Sequence, residues 1–157
     1  MPRFEPIPLF RSSGKRGFTA AVADDPRRVE ARKLEHEVSV RFTPVSCIVQ
    51  TREGAVHAKP GDAILRGIAD EQWRVSSERF AAKYRPVPPT QAGEPGRYVS
   101  NRNRVLALRM IEPFEVLLAD GQSRLSGHRD DWLVDYGDGS LGVVAAEIFA
   151  QTYEVLN

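Results

Sequence analysis

The sequence predicts a mostly β protein, α+β in detail, made of two tandem copies of a small twisted-sheet or partly open barrel module. Each copy carries one short helix, and the two pack as a pseudo-twofold unit. Three observations predict this. The chain matches itself at a fixed offset, the mark of a duplicated architecture. Its apolar residues come in short runs bounded by glycine and acidic turns, the pattern of short strands. A stretch with four prolines, Pro86 to Gly96, separates the matching parts and is extended and stiff by composition.

The offset defines the copies. Shifted by 69 residues, Asp62, Val75, Glu78, Phe80, Ala81 and Tyr84 fall on Asp131, Val144, Glu147, Phe149, Ala150 and Tyr153. Upstream the offset becomes 76, with Arg28, Val29 and Ala31 on Arg104, Val105 and Ala107. The difference implies seven extra residues in the first copy, expected between Glu35 and Thr43 as a longer hairpin. The chain thus divides into an arm (1–26), a first copy (27–87), a Pro/Gly-rich linker (88–101) and a second copy (102–157).

Each copy reads the same way. A first strand (Val29 to Leu34; Val105 to Ile111) leads to a second (Val45 to Gln50; Phe114 to Ala119), a glycine turn and a short third strand. The next strand spans Asp62 to Arg66 or Asp131 to Asp135, and Gln72 to Val75 or Leu141 to Val144 pairs back on it. Ser77 is expected to cap a short helix, with Glu78 in the first turn where the helix dipole favours an acid; Ala146 makes the second cap weaker. Phe80 with Tyr84, and Phe149 with Tyr153, stand four apart on one helical face and close each core. In the second copy Val105 and Ala107 alternate with Leu106, Leu108 and Met110, so that strand is apolar on both faces. One face must meet something besides its own sheet.

The arm mixes Phe4, Ile7, Leu9, Phe10 and Phe18 with proline, glycine and basic residues, and Phe10 and Phe18 favour docking over a free tail. At 157 residues and 41% hydrophobic, the chain has material for a core. Lys plus Arg number 22 and Asp plus Glu 21, so a net charge of +1 gives no global field to attract nucleic acid or anionic membrane. Cys47, alone, sits in an apolar run and reads as a buried, inert thiol. No apolar run of about 18 residues occurs, and the first thirty residues lack a signal-peptide core of about 7 to 15. The cytoplasm is the expected location.

The segment Lys59-Pro60-Gly61-Asp62-Ala63-Ile64-Leu65-Arg66-Gly67, followed by Glu71-Gln72-Trp73-Arg74-Val75, Phe80 and Tyr84, resembles a module of small bacterial and phage proteins. The second copy, through Asp131-Trp132-Leu133-Val134 and Gly142-Val143-Val144 to Phe149 and Tyr153, resembles the bacterial family named for a PGDYG motif. Asp138-Gly139-Ser140-Leu141-Gly142 holds the motif's place in a degenerate form. The resemblance implies the architecture and carries no activity with it.

The constellations that suggest chemistry have simpler accounts. His128-Arg129-Asp130-Asp131 has the letters of a kinase catalytic loop without the downstream Asn, the Asp-Phe-Gly or the phosphate loop. The repeat instead makes Asp131 the counterpart of Asp62, each bonding turn amides at the start of a strand. His36, His57 and His128 have no paired metal-ligand spacing. Asp130, Asp131, Asp135 and Asp138 fit no calcium loop. Gly137 to Gly142 lacks the Lys-Ser/Thr of a phosphate cradle and reads as a hairpin turn.

No acid, base, nucleophile or metal set recurs in both copies. The expected function is therefore a non-enzymatic binding or interaction protein, with no catalytic residue, cofactor or metal. Asp62, Phe80, Tyr84, Asp131, Phe149 and Tyr153 are its structural anchors. An unknown protein or small-molecule partner is expected at the seam between copies, and no membrane. The alternative is nucleic-acid binding through basic strips beside the first strands, with Arg28, Arg32, Arg102 and Arg104 as contacts. A small enzyme with its site at the seam comes third.

Overall fold

The computed structural model describes residues 6–156; Phe4 of the arm lies outside them. The arm forms β1 (Leu9–Arg11) and α1 (Ala20–Ala23). There follow β2 (Val29–Lys33), β3 (Glu37–Phe42), β4 (Cys47–Thr51), β5 (Gly54–Ala58), β6 (Ala63–Arg66), β7 (Gln72–Val75), α2 (Ser77–Lys83) and β8 (Tyr84–Pro86). Then come β9 (Gly96–Ser100), β10 (Arg104–Arg109), β11 (Phe114–Leu117), β12 (Arg124–Gly127), β13 (Trp132–Asp135), β14 (Leu141–Val144), α3 (Ala146–Thr152) and β15 (Tyr153–Val155). The protein is mostly β, with several sheets and, among the described residues, none closed into a barrel.

Two five-stranded sheets carry the structure, in the orders β7-β6-β3-β9-β8 and β14-β13-β10-β2-β15. Each is interlocked with the other's chain segment. β9, which leads into β10, is hydrogen-bonded between β3 and β8, while β2, which leads into β3, lies between β10 and β15. This corrects the alignment at offset 76. Val29–Lys33 is the antiparallel partner of Arg104–Arg109, with Ala31 opposite Val105, and does not hold the equivalent place. The strand in β10's position is β3: Thr43 N donates to Asp62 O and Met110 N to Asp131 O. The seven residues expected as a longer hairpin are mostly β3 itself. The offset matched the like residues of two paired strands, Val29 and Ala31 with Val105 and Ala107.

The linker is likewise more structured than its composition suggests. Gly96–Ser100 is a strand, and buried Tyr98 donates its hydroxyl to Gln91 O and Glu94 O, tying the proline-rich loop back to the sheet.

The helices close the cores as their spacing predicts, one residue displaced at the cap. Ser76, not Ser77, is the N-cap of α2 and accepts from Arg79 N at 3.4 Å. Ala145 holds that place in α3 and has no side-chain oxygen to offer. Phe80 packs with Val38, Val40, Leu65 and Tyr98, and Phe149 with Ala31, Val105, Ala107 and Val134.

The arm explains why β10 is apolar on both faces. Its Leu106, Leu108 and Met110 face a second cluster with Phe114, Val116 and Leu133, and Val22 of α1 is fully buried there with Phe10 packed beside it. β1 adds a parallel strand to β11, and α1 is a third helix beyond the expected two. Phe10 docks, edge-on to Phe114, whereas Phe18 remains half exposed. β3 alternates buried Val38 and Val40 with exposed Glu37, Ser39 and Arg41, so its outer face needs no cover.

Candidate functional site

A cavity of about 250 Å³ lies at the seam of the two five-stranded sheets. That is near the lower end of the roughly 300–1,000 Å³ typical of small-molecule pockets. Its lining draws on residues 69 apart in the chain: Trp73 and Gly142, Gln72 and Leu141, Arg74 and Val143, Tyr84 and Tyr153 all contribute. The first of each pair is in or beside β7 and α2, the second in or beside β14 and α3. Apart from the two tyrosines, one side is therefore polar and bulky and the other small or aliphatic. Gly142 packs closely here, since a Cβ there would meet the Tyr136 hydroxyl at 2.8 Å and require that ring to shift.

Lys33, the last residue of β2, projects among aromatic rings. Its Nζ is 5.5 Å from the Trp73 ring centroid, 5.8 Å from that of Tyr84 and 5.7 Å from that of Tyr153, and donates to Tyr84 Oη at 3.5 Å. Burial works against its charge, but the charge that Tyr84 and Tyr136 carry when ionised, the hydrogen bond to Tyr84 and the Glu71 carboxylate outweigh it and hold the pKa above the ordinary lysine value. Burial pushes the pKa of Tyr153 well above its usual range and that of Tyr136 upward, so these two are kept neutral.

Asp138 gathers two other cations of the lining. It accepts from Lys83 Nζ at 2.7 Å and Arg79 Nε at 2.9 Å, and both cations also lie over the Tyr136 ring. Ser140 N and Oγ donate to its other oxygen, made possible by left-handed Gly137 and Gly139 in the turn. Although burial opposes ionisation, these bonds hold the carboxyl far below the usual range. Arg74 is paired with buried Asp62 at 3.0 Å. Glu53, also in the lining, is pushed up to about 7 by burial, which Arg52 only partly offsets.

Residues 54–154 match the family described as PGDYG protein. The chain belongs to the PGDYG protein family. No curated protein and no solved structure matches it. The letters Pro-Gly-Asp of the PGDYG name occur once, at Pro60-Gly61-Asp62. There Asp62 does what the sequence suggests, accepting from Lys59 N at 2.8 Å in the turn before β6. Asp131 accepts from His128 N at 2.9 Å in the matching turn before β13. The segment Asp138 to Gly142 of this PGDYG protein lies on the seam.

Of the structural anchors, Asp62, Phe80, Phe149 and Tyr153 are buried, while Tyr84 and Asp131 are half-buried. The rings stack in pairs, Phe80 on Tyr84 at 5.1 Å and Phe149 on Tyr153 at 4.9 Å. The four acids of 130–138 stay apart in function: Asp130 pairs with Arg109, Asp131 caps a turn, Asp135 binds Thr19 and Asp138 binds α2. His36 donates to Gln151 O, while His57 and His128 are exposed. Cys47 is half-buried rather than buried, with Thr43 Oγ1 3.6 Å from its sulfur. Arg28, Arg102 and Arg104 are exposed, and Arg32 is directly opposite Arg104 across β2 and β10, with Glu154 3.8 Å away. No helix among the described residues is long and apolar enough to cross a membrane.

Sequence reasoning missed Lys33, Glu53, Glu71, Trp73 and Tyr136. One signal was available: at offset 69, a tryptophan faces a glycine and an arginine a valine, an asymmetry that a shared cavity explains and two independent cores do not.

Proposed function

We propose that this is a non-enzymatic binding protein, a duplicated β module with a pseudo-twofold relation between its halves, that holds a small molecule at the seam. The observation carrying this reading is the cavity lined by offset-69 pairs from both sheets, with polar groups converging from one side on an aliphatic wall. The matched strand orders and the matched turns at Asp62 and Asp131 support the duplication. Lys33 and Tyr153, with pKa values held above their ordinary ones, suit the holding of a ligand better than proton transfer near neutral pH.

Native mass spectrometry of the purified protein tests this. A small-molecule adduct is expected, lost in Ile148→Trp, which fills the cavity from α3. Absence of any adduct, together with no thermal shift across a metabolite panel, would sink the reading.

The competing reading, nucleic-acid binding, draws on Arg32 and Arg104, like charges at opposed positions of β2 and β10 with Glu154 3.8 Å from Arg32, where a phosphate would add a second anion. Such binding would weaken steeply between roughly 50 and 200 mM salt. It would also fall in the quadruple Ala variant of Arg28, Arg32, Arg102 and Arg104.

A further inference from the structure

We infer that the seam ligand is a small organic anion whose charged group sits against Lys33 and whose hydroxyl or amino donor reaches Glu71. This rests on the seam reading above. An ammonium has three donors, and the described residues supply Lys33 with one oxygen, at the 3.5 Å limit of a hydrogen bond. The three ring faces around it soften the cost of burying the charge without using those donors.

The cavity's other cations are already answered by carboxylates, Arg79 and Lys83 by Asp138, and Arg74 by Asp62. Lys33 has no carboxylate within 4.0 Å among the described residues. Glu71 acts on it only from farther away. Glu71 Oε2 is itself buried with no hydrogen-bond partner, as is Arg74 Nε, and both residues line the same cavity. Buried polar atoms without partners are costly, and a ligand bringing an acceptor for Lys33 and a donor for Glu71 relieves both. The aliphatic wall of Val56, Leu125, Val143 and Ile148 takes the apolar body of such a molecule.

Isothermal titration of the full chain with two matched pairs tests the class: 4-hydroxybenzoate against 4-hydroxybenzyl alcohol, and adenosine 5′-monophosphate against adenosine. The first pair isolates a carboxylate, the second a phosphate. At least one anion is expected to bind tenfold or more tightly than its neutral twin. Lys33→Met should bring that ratio close to one and Lys33→Arg should keep a preference, with circular dichroism showing both variants folded. The assignment is overturned if neither anion binds, if twins bind equally to the wild type, or if Lys33→Met leaves the ratio unchanged. Equal binding of twins that Ile148→Trp abolishes would keep the seam as the site and reject only the anion. Binding indifferent to Ile148→Trp would reject the seam itself.

Discussion

Asp138 and Lys83 form a 2.7 Å ion pair that joins the β13–β14 turn of one sheet to helix α2 of the other. Arg79 makes a second bond to the same oxygen. Both partners are largely removed from solvent, so Asp138→Ala leaves two cations facing Tyr136 without an anion. A loss of about 1–3 kcal/mol is expected, between the values for exposed and fully buried pairs. Because the folded carboxyl titrates below its unfolded value, this contribution is present above about pH 4 and fades as acid protonates it. Urea unfolding at pH 7 and pH 3 should therefore show a large wild-type to variant difference at the first and a smaller one at the second. Equal differences would mean that the pair does not stabilise the seam.

Phe149 is held between Trp132, with centroids 4.0 Å apart, and Tyr153, at 4.9 Å, and is 3% exposed. Replacing it by Ala removes a ring from a three-ring stack and leaves a cavity the strands cannot fill. The expected cost is about 3–5 kcal/mol in denaturant unfolding. Phe80→Ala should cost a similar amount, since Phe80 meets Phe42, Tyr84 and Tyr98. A change below about 1 kcal/mol at either position would contradict the packing.

What the sequence made legible were the elements whose patterns are local. The hairpin strands Gln72–Val75 and Leu141–Val144, the two helices and their aromatic pairs follow from alternation and four-residue spacing. The exchange of β2 and β9 between sheets was not legible, because strand pairing is long-range and nothing in Val29–Lys33 names its partner. The site was half legible. A seam was expected from duplication, but Lys33 and Glu71 become notable only when their burial and missing partners are seen.

Glu53 is held protonated by burial, up to about 7. A carboxyl raised above its unfolded value destabilises the fold as it ionises, so the folded state loses stability as pH rises from the unfolded pKa, about 4.3, to about 7, and is level above that. Glu53→Gln cannot ionise and should escape this loss. Relative to the wild type, the variant is expected to gain stability between pH 5 and 8. Thermal midpoints that differ by the same amount at both pH values would place Glu53 in solvent.

The second half of the chain is not expected to fold alone. Its sheet runs β14-β13-β10-β2-β15, so the fragment 102–157 lacks the strand between β10 and β15 and leaves both with unpaired backbone groups. It also lacks the arm, and Leu106, Leu108 and Met110 would lose the cover of Val22 and Phe10. Asp135, fully buried, accepts from Thr19 N at 2.7 Å and from Thr19 Oγ1 at 3.0 Å, so without the arm a buried carboxylate keeps only the amide of Gly137. The fragment should aggregate or show no cooperative melt, and the chain lacking residues 1–23 should melt well below the full chain. Supplying residues 6–33 as a separate peptide restores β2, the arm and Thr19 together. It should recover a cooperative transition in the fragment; a fragment that melts like the whole chain without the peptide would show that the interlocked strands do not hold the halves together.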